Sequence, residues 1–599
     1  MKEKRGCLSR LVWLFVLIIL FIPVLLYFYW VLPFWGMPFN EQRHGTPPLT
    51  PAWALECWVW EDDVNTAEAV RELLAGYEEH DFPVRTILID SPWSTRYNDF
   101  IVDEERYPNP AQFFGELEND GYRVVLWMTS MVNSSSKDTA IQDSSDWYEE
   151  ARENGYLAGG GEPTGWWKGR GGFVDYSNPA AMEWWRGLQQ QVFDWGIDGW
   201  KLDGAATSFR TQLGPVPLPY RRVHSGVMTT RTYMDHYYRD EYQHGLTQNP
   251  EFITLSRSTD RIGLLDDEGE NSEWKYWLDT KAHPEGFAPI DASPVNWVGD
   301  QDHAWSVEEE GIEEAIADIL RSATMGYNVI GSDVAGYSGG EFPPRLYARW
   351  AQFSAFCGLF LNGGHTNRAL WESVPDEWEI VREYAWLHTE LIPYIYTHVV
   401  ACHLGGEPLM RPLESKYTYL FGEDFLVAPI YEDSFEREVI LPEGQWRYLF
   451  GDDEVIEGPT TITRQFLLDE FPVYVRDGAI VPMDVKREYT GFGDRMSDGY
   501  LTWLIYPRER SEFEVVHPDG SGRSAIVADN TGENLEVRLG GEEKPHILRI
   551  KMDAKPANIT IDGVGLAEGN QWDYDTEAKM LVVRTRNYVD GHYVIERGE

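Results

Sequence analysis

The sequence predicts an α/β fold: a (β/α)8 TIM barrel followed by two all-β sandwich domains, with an N-terminal transmembrane helix. Between residues 53 and 403, eight strand-like apolar runs alternate with amphipathic helical stretches, as in parallel βα units. After residue 404, short alternating runs are separated by Gly, Pro and Asp turns, which is typical of all-β domains. Before residue 36, one uncharged apolar stretch is long enough to span a bilayer.

The N-terminal stretch has the charge pattern of an uncleaved membrane anchor. Four basic residues (Lys2, Lys4, Arg5 and Arg10) precede it, which predicts that the N-terminus stays in the cytoplasm and the catalytic region is extracytoplasmic. The alternative is a cleaved signal peptide, whose apolar region is shorter and ends in small residues. Aromatic residues stand there instead, at positions 27–30. We therefore expect a single-pass anchor over 1–35 and a Pro-rich stalk over 36–52.

Three domains are predicted after the stalk: the barrel over 53–403, a proximal C-terminal β-sandwich over 404–485 and a distal β domain over 486–599. The barrel strand candidates are 54–60, 85–90, 123–128, 196–203, 252–257, 295–300, 327–333 and 353–361. The helix candidates are 65–80, 110–120, 180–195 and 307–325. Three long connections (129–197, 205–251 and 258–294) are expected to shape a substrate pocket, since loops at the catalytic end of a barrel carry function.

The charge and cysteine content exclude several function classes. A formal charge of −47 disfavours nucleic acid as a partner, because binding it requires a basic surface. The four cysteines are scattered, without a CxxC pair or a metal-ligand spacing. A metal-dependent barrel hydrolase would carry a ligand cluster such as His-x-His at a strand end, and this sequence has no such cluster there. We expect no metal and no cofactor, and the oligomeric state stays open.

Ionisable side chains stand at the ends of five of the predicted barrel strands. They are Asp90, Asp203, Arg257, Asp300 and Asp333. One such aspartate alone is most simply a turn or helix cap. Five together predict an active-site rim, because the carboxyl ends of barrel strands carry the active site in this fold.

Asp203 and Asp300 are the candidate catalytic pair. Retaining glycoside hydrolysis needs two carboxyl groups about 5–5.5 Å apart, one as nucleophile and one as acid and then base. Lys201 lies two residues before Asp203 on the same side of its strand, where its charge would keep Asp203 ionised. Trp297 and other apolar neighbours would give Asp300 dry surroundings suited to a proton donor. Asp302 is the competing acid.

Further residues on the predicted rim are candidates for substrate binding. Aspartates and Arg257 could bind ring hydroxyls through charge-assisted hydrogen bonds, and tryptophans could stack on sugar rings. His365 follows the predicted eighth strand and is either a structural or a functional histidine. The candidates are Asp90, Trp127, Trp200, Lys201, Arg257, Trp297, Asp333 and His365.

These motifs, in this order, resemble those of glycoside hydrolase family 31 over about residues 53–485. The nucleophile motif of that family is similar to 199–203, its acid/base motif to 297–300 followed by Trp305, and its arginine motif to 256–258. Its Gly-x-Asp-x-x-Gly motif is similar to 331–336. The resemblance favours Asp300 over Asp302 and implies a retaining α-glycosidase.

The chain departs from that family at two places. Members usually carry a large N-terminal β-sandwich before the barrel, whereas only the anchor and stalk precede residue 53 here. Many members have Glu shortly after the nucleophile, where this chain has Gly204-Ala205-Ala206. Both departures bear on the substrate, because those parts wall the pocket in the family.

The sequence thus predicts a membrane-anchored enzyme that hydrolyses O-glycosyl bonds in α-linked oligosaccharides or glycoconjugates, most simply an α-glucosidase. The resemblance also allows an α-xylosidase, an α-galactosidase or a transglycosylase on the same scaffold. A catalytically inert carbohydrate-binding membrane protein is the alternative from a different class, since fold alone does not imply activity.

Overall fold

The structure is a computed structural model. It describes residues 2–35, 45–137, 145–213, 216–259, 287–338, 343–363, 365, 369–451, 454–542, 544–588 and 591–598. A continuous helical segment begins the chain, built from Lys2–Leu26, a π-helical turn at Tyr27–Val31 and a last turn at Leu32–Trp35. Its stretch Trp13–Val31, 19 residues long, is apolar enough to cross a membrane. The residues described include 45–52 of the predicted stalk, and 36–44 lie outside them.

The barrel is an eight-stranded sheet with parallel pairing. Its strands are β1 (Cys57–Glu61), β2 (Val84–Ile89), β3 (Arg123–Met128), β4 (Gly199–Leu202), β5 (Ile253–Arg257), β6 (Val295–Trp297), β7 (Ile330–Gly331) and β8 (Leu361–Asn362). The hydrogen-bonded order is β7-β6-β5-β4-β3-β2-β1-β8. A parallel bridge between Asp333 and Leu361 joins the two end strands, so the sheet is nearly closed. The predicted TIM barrel is confirmed.

The eighth barrel strand lies later in the sequence than predicted. Residues 353–361 were expected to form it, but Pro344–Ser354 is a helix and the strand is Leu361–Asn362. Every residue of 346–354 is buried. Only 353 and 354 of the predicted strand are helical, and 355–360 form buried turns and irregular backbone. The apolar run therefore indicated burial and not the backbone conformation, which explains the error.

The four helices that amphipathic periodicity predicts are present, with bounds within five residues of those predicted. The helix after β1 begins at its cap, Thr66, whose hydroxyl accepts from the Ala69 N–H at 3.1 Å. Among the described residues after the N-terminal segment, the α-helices are Ala67–Glu79, Pro110–Asn119, Ser145–Glu153, Pro179–Asp194, Thr230–Gln248, Ile312–Met325, Pro344–Ser354, Leu370–Ser373, Trp378–Glu390 and Ile392–His403, of which six were not predicted.

Two of the three long connections fold as small antiparallel sheets. The connection after β3 contains a three-stranded sheet of Met131–Ser136, Gly169–Phe173 and Thr164–Trp166. The connection after β4 contains two hairpins, Thr211–Leu213 with Val216–Leu218 and Tyr220–Val223 with Gly226–Thr229. Most of the connection after β5 (260–286) lies outside the described residues.

The described part of the predicted stalk packs against the protein. Thr50 is buried, and its hydroxyl donates to the Pro294 carbonyl at 2.6 Å. Ala52–Leu55 then forms a 3₁₀ turn in which three of the four residues are buried. This part of the predicted stalk is therefore not a free spacer, since Pro47 and Thr50 are buried in the folded chain.

The C-terminal region is all-β, as predicted. Its first part is one six-stranded sheet of Met410–Pro412, Tyr419–Phe421, Phe425–Val427, Val473–Arg476, Glu436–Tyr448 and Ile456–Gln465. Two sheets packed around a shared core follow: Ile480–Met483, Leu501–Ile505, Lys544–Lys551, Met580–Tyr588 and Trp572–Asp575 in one, Arg510–Val516, Arg523–Asp529, Leu535–Gly541, Gly591–Glu596, Asn558–Ile561 and Val564–Gly565 in the other. The buried strand Ile480–Met483 pairs with Leu501–Ile505, so the second block begins before the predicted boundary at 485/486.

The chain forms two compact units. One contains residues 1–45, 91–115 and 126–293, and the other contains 46–90, 116–125 and 294–599. Asp203 and Arg257 lie in the first unit, whereas Asp90, Asp300 and Asp333 lie in the second.

Candidate active site

Asp203 stands where β4 ends and the chain turns, as predicted. All four residues of β4 are buried, and a Cβ at Gly199 would come within 2.9 Å of the Ile253 carbonyl oxygen on β5. The Asp203 backbone N–H donates to the Met128 carbonyl at 3.1 Å. Its side chain then accepts from the Gly204 N–H at 2.7 Å and caps the short helix Gly204–Ser208. Backbone contacts on both sides thus fix the position of this carboxylate.

The Asp203 carboxylate is buried among positive charges and donors. Trp127 on β3 donates its indole N–H to Oδ2 at 3.0 Å, and Arg257 at the end of β5 lies 3.1–3.2 Å from Oδ1. Burial by itself would raise the pKa of Asp203. The charges of Arg257 and of buried Lys201, with the two N–H donors, instead lower that pKa to about 2. Asp203 is therefore a carboxylate held in its ionised form.

An aromatic series leads from Asp203 to the surface. Trp127 stacks on Trp166, with ring centroids 6.3 Å apart and planes at 9°. The Trp166 indole is buried and donates to Asn133 Oδ1 at 2.8 Å. Trp167, at the tip of its hairpin, meets Trp166 edge-on at 5.1 Å and is 40% exposed. Stacked tryptophans of this kind can support a sugar ring beside the carboxylate.

A second group of carboxylates lies near Tyr337, in the compact unit that contains residues 294–599. Its hydroxyl donates to Asp62 Oδ2 at 2.7 Å, and its ring stacks on Trp60 at 5.0 Å. Burial and then the negative charges of Asp62, Asp90 and Asp300 raise the pKa of Tyr337 far above its ordinary value. The carboxylates of Asp62, Asp90 and Asp300 therefore lie near one phenol.

His365 lies beside the same phenol. Its Nδ1 is 2.9 Å from Asp63 Oδ1 and its Nε2 is 3.7 Å from Asp62 Oδ2. Its ring centroid is 4.7 Å from that of Tyr337, and its backbone N–H donates to the Tyr337 carbonyl at 2.7 Å. About two-fifths of the side chain is exposed. A half-exposed imidazole between two aspartates can bind a substrate hydroxyl as donor or acceptor.

Asp333 is fully buried at the end of β7, in the Gly-x-Asp-x-x-Gly motif. The chain turns directly after it, with φ of 69° at Ala335 and 88° at Gly336. A Cβ at Gly336 would lie 2.7 Å from the Asp302 carbonyl oxygen, so only glycine fits this close approach. The motif is thus a turn that brings the chain after Asp333 against the segment after Asp300.

Two predictions about the site are wrong. Trp200 was predicted to contact substrate, but its ring packs against Phe100, Phe193 and Phe252 in the core around β4. Successive side chains of a strand alternate in direction, so Trp200 lies opposite Lys201. Asp300 was predicted to have dry surroundings, but it is exposed in the loop after β6. Trp297 on β6 is fully buried.

The sequence reasoning missed Asp62, Tyr337 and Trp166. Asp62 directly follows β1, so it carries the same signal as the other strand-end carboxylates. It was overlooked because the predicted strand ended at residue 60. Tyr337 follows Gly336 directly, but its partner Asp62 is 275 residues away in sequence. Among the described residues, no group of three His, Cys, Asp or Glu side chains could hold a metal ion.

Two domain models of one protein family match the chain. The model of the glycosyl hydrolases family 31 TIM-barrel domain matches residues 47–398, and that of the glycosyl hydrolase family 31 C-terminal domain matches 406–481. The chain is 25% identical over 473 residues to an alpha-xylosidase of Emericella nidulans, covering 74% of this chain and 55% of that protein. It is 26% identical to alpha-glucosidase 2 of Bacillus thermoamyloliquefaciens, covering 84% and 62%.

The fold has close counterparts among solved structures. The cycloalternan-forming enzyme from Listeria monocytogenes superposes with a TM-score of 0.76 at 20% identity, covering 93% of this chain and 55% of that enzyme. The chain spans roughly half to two-thirds of the length of these relatives. The two family models together cover most of the sequence from the barrel to the first C-terminal sheet. The chain belongs to glycosyl hydrolase family 31.

Proposed function

We propose that the protein is a retaining α-glycosidase that hydrolyses α-linked oligosaccharides or glycoconjugates, with Asp203 as nucleophile and Asp300 as acid and base. The observation that carries the proposal is the surroundings of Asp203. A carboxylate whose pKa is lowered to about 2 by Arg257 and Lys201 is ionised at neutral pH. The names of the relatives, an alpha-xylosidase and an alpha-glucosidase, support α-glycoside substrates.

In the first step, a carboxylate oxygen of Asp203 attacks the anomeric carbon of the substrate. The bond from that carbon to the glycosidic oxygen breaks as Asp300 donates its proton to the departing oxygen. The products are an aglycone alcohol and a glycosyl ester on Asp203. In the second step, water attacks the same carbon while Asp300 accepts a proton from it. The bond from that carbon to the Asp203 oxygen breaks, which restores the carboxylate and releases the free sugar with retained configuration.

The other rim residues would hold the sugar during both steps. We assign hydroxyl binding to Asp90, Asp333, His365 and Arg257, since charged groups make the strongest hydrogen bonds to hydroxyls. Lys201 would act mainly through its charge on Asp203. Trp127 would both donate to Asp203 and present an aromatic ring to the substrate.

The N-terminal helix would hold the enzyme in a membrane. Trp13–Val31 is long and apolar enough to span a bilayer, and basic residues precede it. By the positive-inside rule, its N-terminus faces the cytoplasm and the barrel lies on the other side. A chain found without residues 1–35 after expression would instead identify a cleaved signal peptide.

Covalent trapping tests the proposed function. A 5-fluoro-α-glycosyl fluoride forms the ester quickly and releases it slowly, so we expect an added sugar mass on the peptide that contains Asp203. A panel of α-glucosides, α-xylosides and α-galactosides then identifies the sugar, with α-glucosides expected to react fastest. Label on a different carboxylate, or an inert protein that only binds sugar, would overturn the proposal. Oligosaccharide products longer than the substrate would identify a transglycosylase.

A further inference from the structure

The connection after β4 differs in charge from the rest of the chain. The whole sequence has 98 acidic and 51 basic residues, yet residues 204–234 contain no Asp or Glu. The same stretch contains Arg210, Arg221, Arg222 and Arg231. We call the described residues 204–213 and 216–229, which contain the strands of both hairpins, the β4 insertion. Arg210, Arg221 and Arg231 are buried and Arg222 is exposed, so the exposed surface of this stretch carries Arg222 and no carboxylate.

The β4 insertion is hydrogen-bonded to the end of the apolar N-terminal helix. The Trp30 indole N–H donates to the Pro217 carbonyl at 3.0 Å, and the Tyr220 hydroxyl donates to the Tyr29 carbonyl at 3.0 Å. These two bonds involve both hairpins of the insertion. Tyr and Trp at the end of a membrane-spanning helix lie at the level of the lipid headgroups. The segments bonded to them lie at that level too.

Each hairpin also exposes a large apolar side chain. Leu213 is 65% exposed on one hairpin and Val227 is 69% exposed on the other. Arg222 and His224, on the second hairpin, are exposed as well. Apolar side chains mixed with basic ones are the pattern of segments that lie in the membrane interface. The helix leads directly to this surface, which identifies the bilayer as its occupant.

We propose that the β4 insertion is a membrane-docking surface that rests on a bilayer with anionic headgroups and places Leu213 and Val227 between them. The insertion begins at the residue after Asp203, so docking holds this strand end of the barrel close to the membrane. The substrate class that fits is the glycan of a membrane-attached glycoconjugate. This substrate assignment rests on the proposed glycosidase function and on the membrane anchor.

Depth-dependent quenching tests the docking surface on the full chain in liposomes of neutral and anionic phospholipid. A fluorescent label is attached to a single cysteine at position 213 or 227, in a Cys7→Ser background where the remaining cysteines are buried. Controls carry the label at Leu404 or Val564, which are similarly exposed. We expect spin-labelled lipid to quench the first pair about twofold or more and the controls little. Equal, weak quenching at all four positions would overturn the proposal.

A dilution series separates the bilayer from a second copy of the chain as the occupant. Contact with lipid does not depend on the protein-to-lipid ratio, whereas contact with a second copy weakens as that ratio falls. Quenching that is unchanged over a hundredfold dilution therefore supports membrane docking. If the labels become protected from quenching only at high protein density, the surface is a contact between copies and the proposal fails.

Activity on two substrates separates this inference from the proposed function. The variant Leu213→Asp/Val227→Asp is compared with Leu404→Asp/Val564→Asp in the same liposomes. We expect the first variant to hydrolyse an α-linked glycolipid about tenfold more slowly and a soluble 4-nitrophenyl α-glycoside at the unchanged rate. Equal rates on glycolipid would refute the substrate class. If the wild type hydrolyses neither substrate, the proposed function fails, while quenching still decides the docking.

Discussion

Asp203 and Asp300 both follow barrel strands, but their surroundings are opposite in charge and exposure. Asp203 is buried and is contacted by Arg257 and the Trp127 indole. Asp300 is exposed and shares the neighbourhood of Tyr337 with Asp62 and Asp90. Position at a strand end therefore gives a carboxylate its place on the rim, while side chains from other strands determine its role. A buried, cation-bound carboxylate suits a nucleophile, and an exposed one can exchange protons with water.

Removing the Asp203 charge should have the largest effect. Asp203→Asn keeps the shape but removes the attacking oxygen, so we expect kcat/KM for an α-glycoside to fall by about 10⁴-fold or more. The matched control is Asp198→Asn, because Asp198 is also buried but precedes β4 at the opposite end of the strand. Steady-state kinetics with a 4-nitrophenyl substrate measure both. A loss of less than tenfold for Asp203→Asn would refute its role.

Asp300→Ala should be next in size, and its effect should depend on the leaving group. We expect about a 10³-fold loss on an oligosaccharide, which needs a proton on its departing oxygen, and a smaller loss on an activated aryl glycoside. Azide should restore turnover of the aryl glycoside, since this anion attacks the glycosyl ester without a general base. A loss that is equal for both substrates, with no azide effect, would place the acid elsewhere, with Asp302 as the next candidate.

Arg257 should govern the pH dependence through Asp203. Arg257→Gln removes a charge that lowers the pKa of Asp203, so that pKa should rise and the acidic limb of kcat/KM should move to higher pH. We expect activity at pH 7 to fall about 10–100-fold from the broken buried pair. Arg257→Lys, which keeps the charge, should leave the acidic limb nearly in place. An unmoved limb in both variants would show that Arg257 does not act on Asp203.

The ion pair of Asp203 and Arg257 should also stabilise the folded chain, over a pH range set by the lowered pKa of Asp203. The pKa of Asp203 in the folded chain is about 2, below the value of about 3.9 for an unperturbed aspartate. The ionised carboxylate therefore stabilises the fold above about pH 4, and this contribution is lost as the pH falls towards 2. Arg257→Gln should reduce it, so the Tm difference from wild type should be larger at pH 6 than at pH 2.5. A constant difference would contradict the linkage.

Strand ends were predictable from the sequence, whereas the partners that meet there were not. Asp90 and Asp203 directly follow buried strands, so apolar runs of four to six residues give their positions. Tyr337 and Asp62 are bonded across 275 residues, and no local pattern encodes that distance. The prediction of the eighth strand failed for a different reason, since the apolar run 353–361 is buried but is mostly turns and irregular backbone before the strand begins at Leu361. The pattern of apolar residues therefore predicts which residues end the barrel strands, but not which distant side chains contact them.

Trp127 and Trp200 lie on neighbouring barrel strands, but only Trp127 contacts a candidate catalytic residue. Replacing either tryptophan by Phe should change activity less than the substitutions above. Trp127 donates to Asp203, so Trp127→Phe should lower kcat/KM about tenfold, the cost of one hydrogen bond to a charged group. Trp200 packs only against other rings among its described contacts. Trp200→Phe should therefore leave kcat/KM within about twofold and lower Tm by a few degrees through the cavity it leaves. If Trp200→Phe lowered activity as much as Trp127→Phe while Tm stayed constant, the assignment of Trp200 to the core would be wrong.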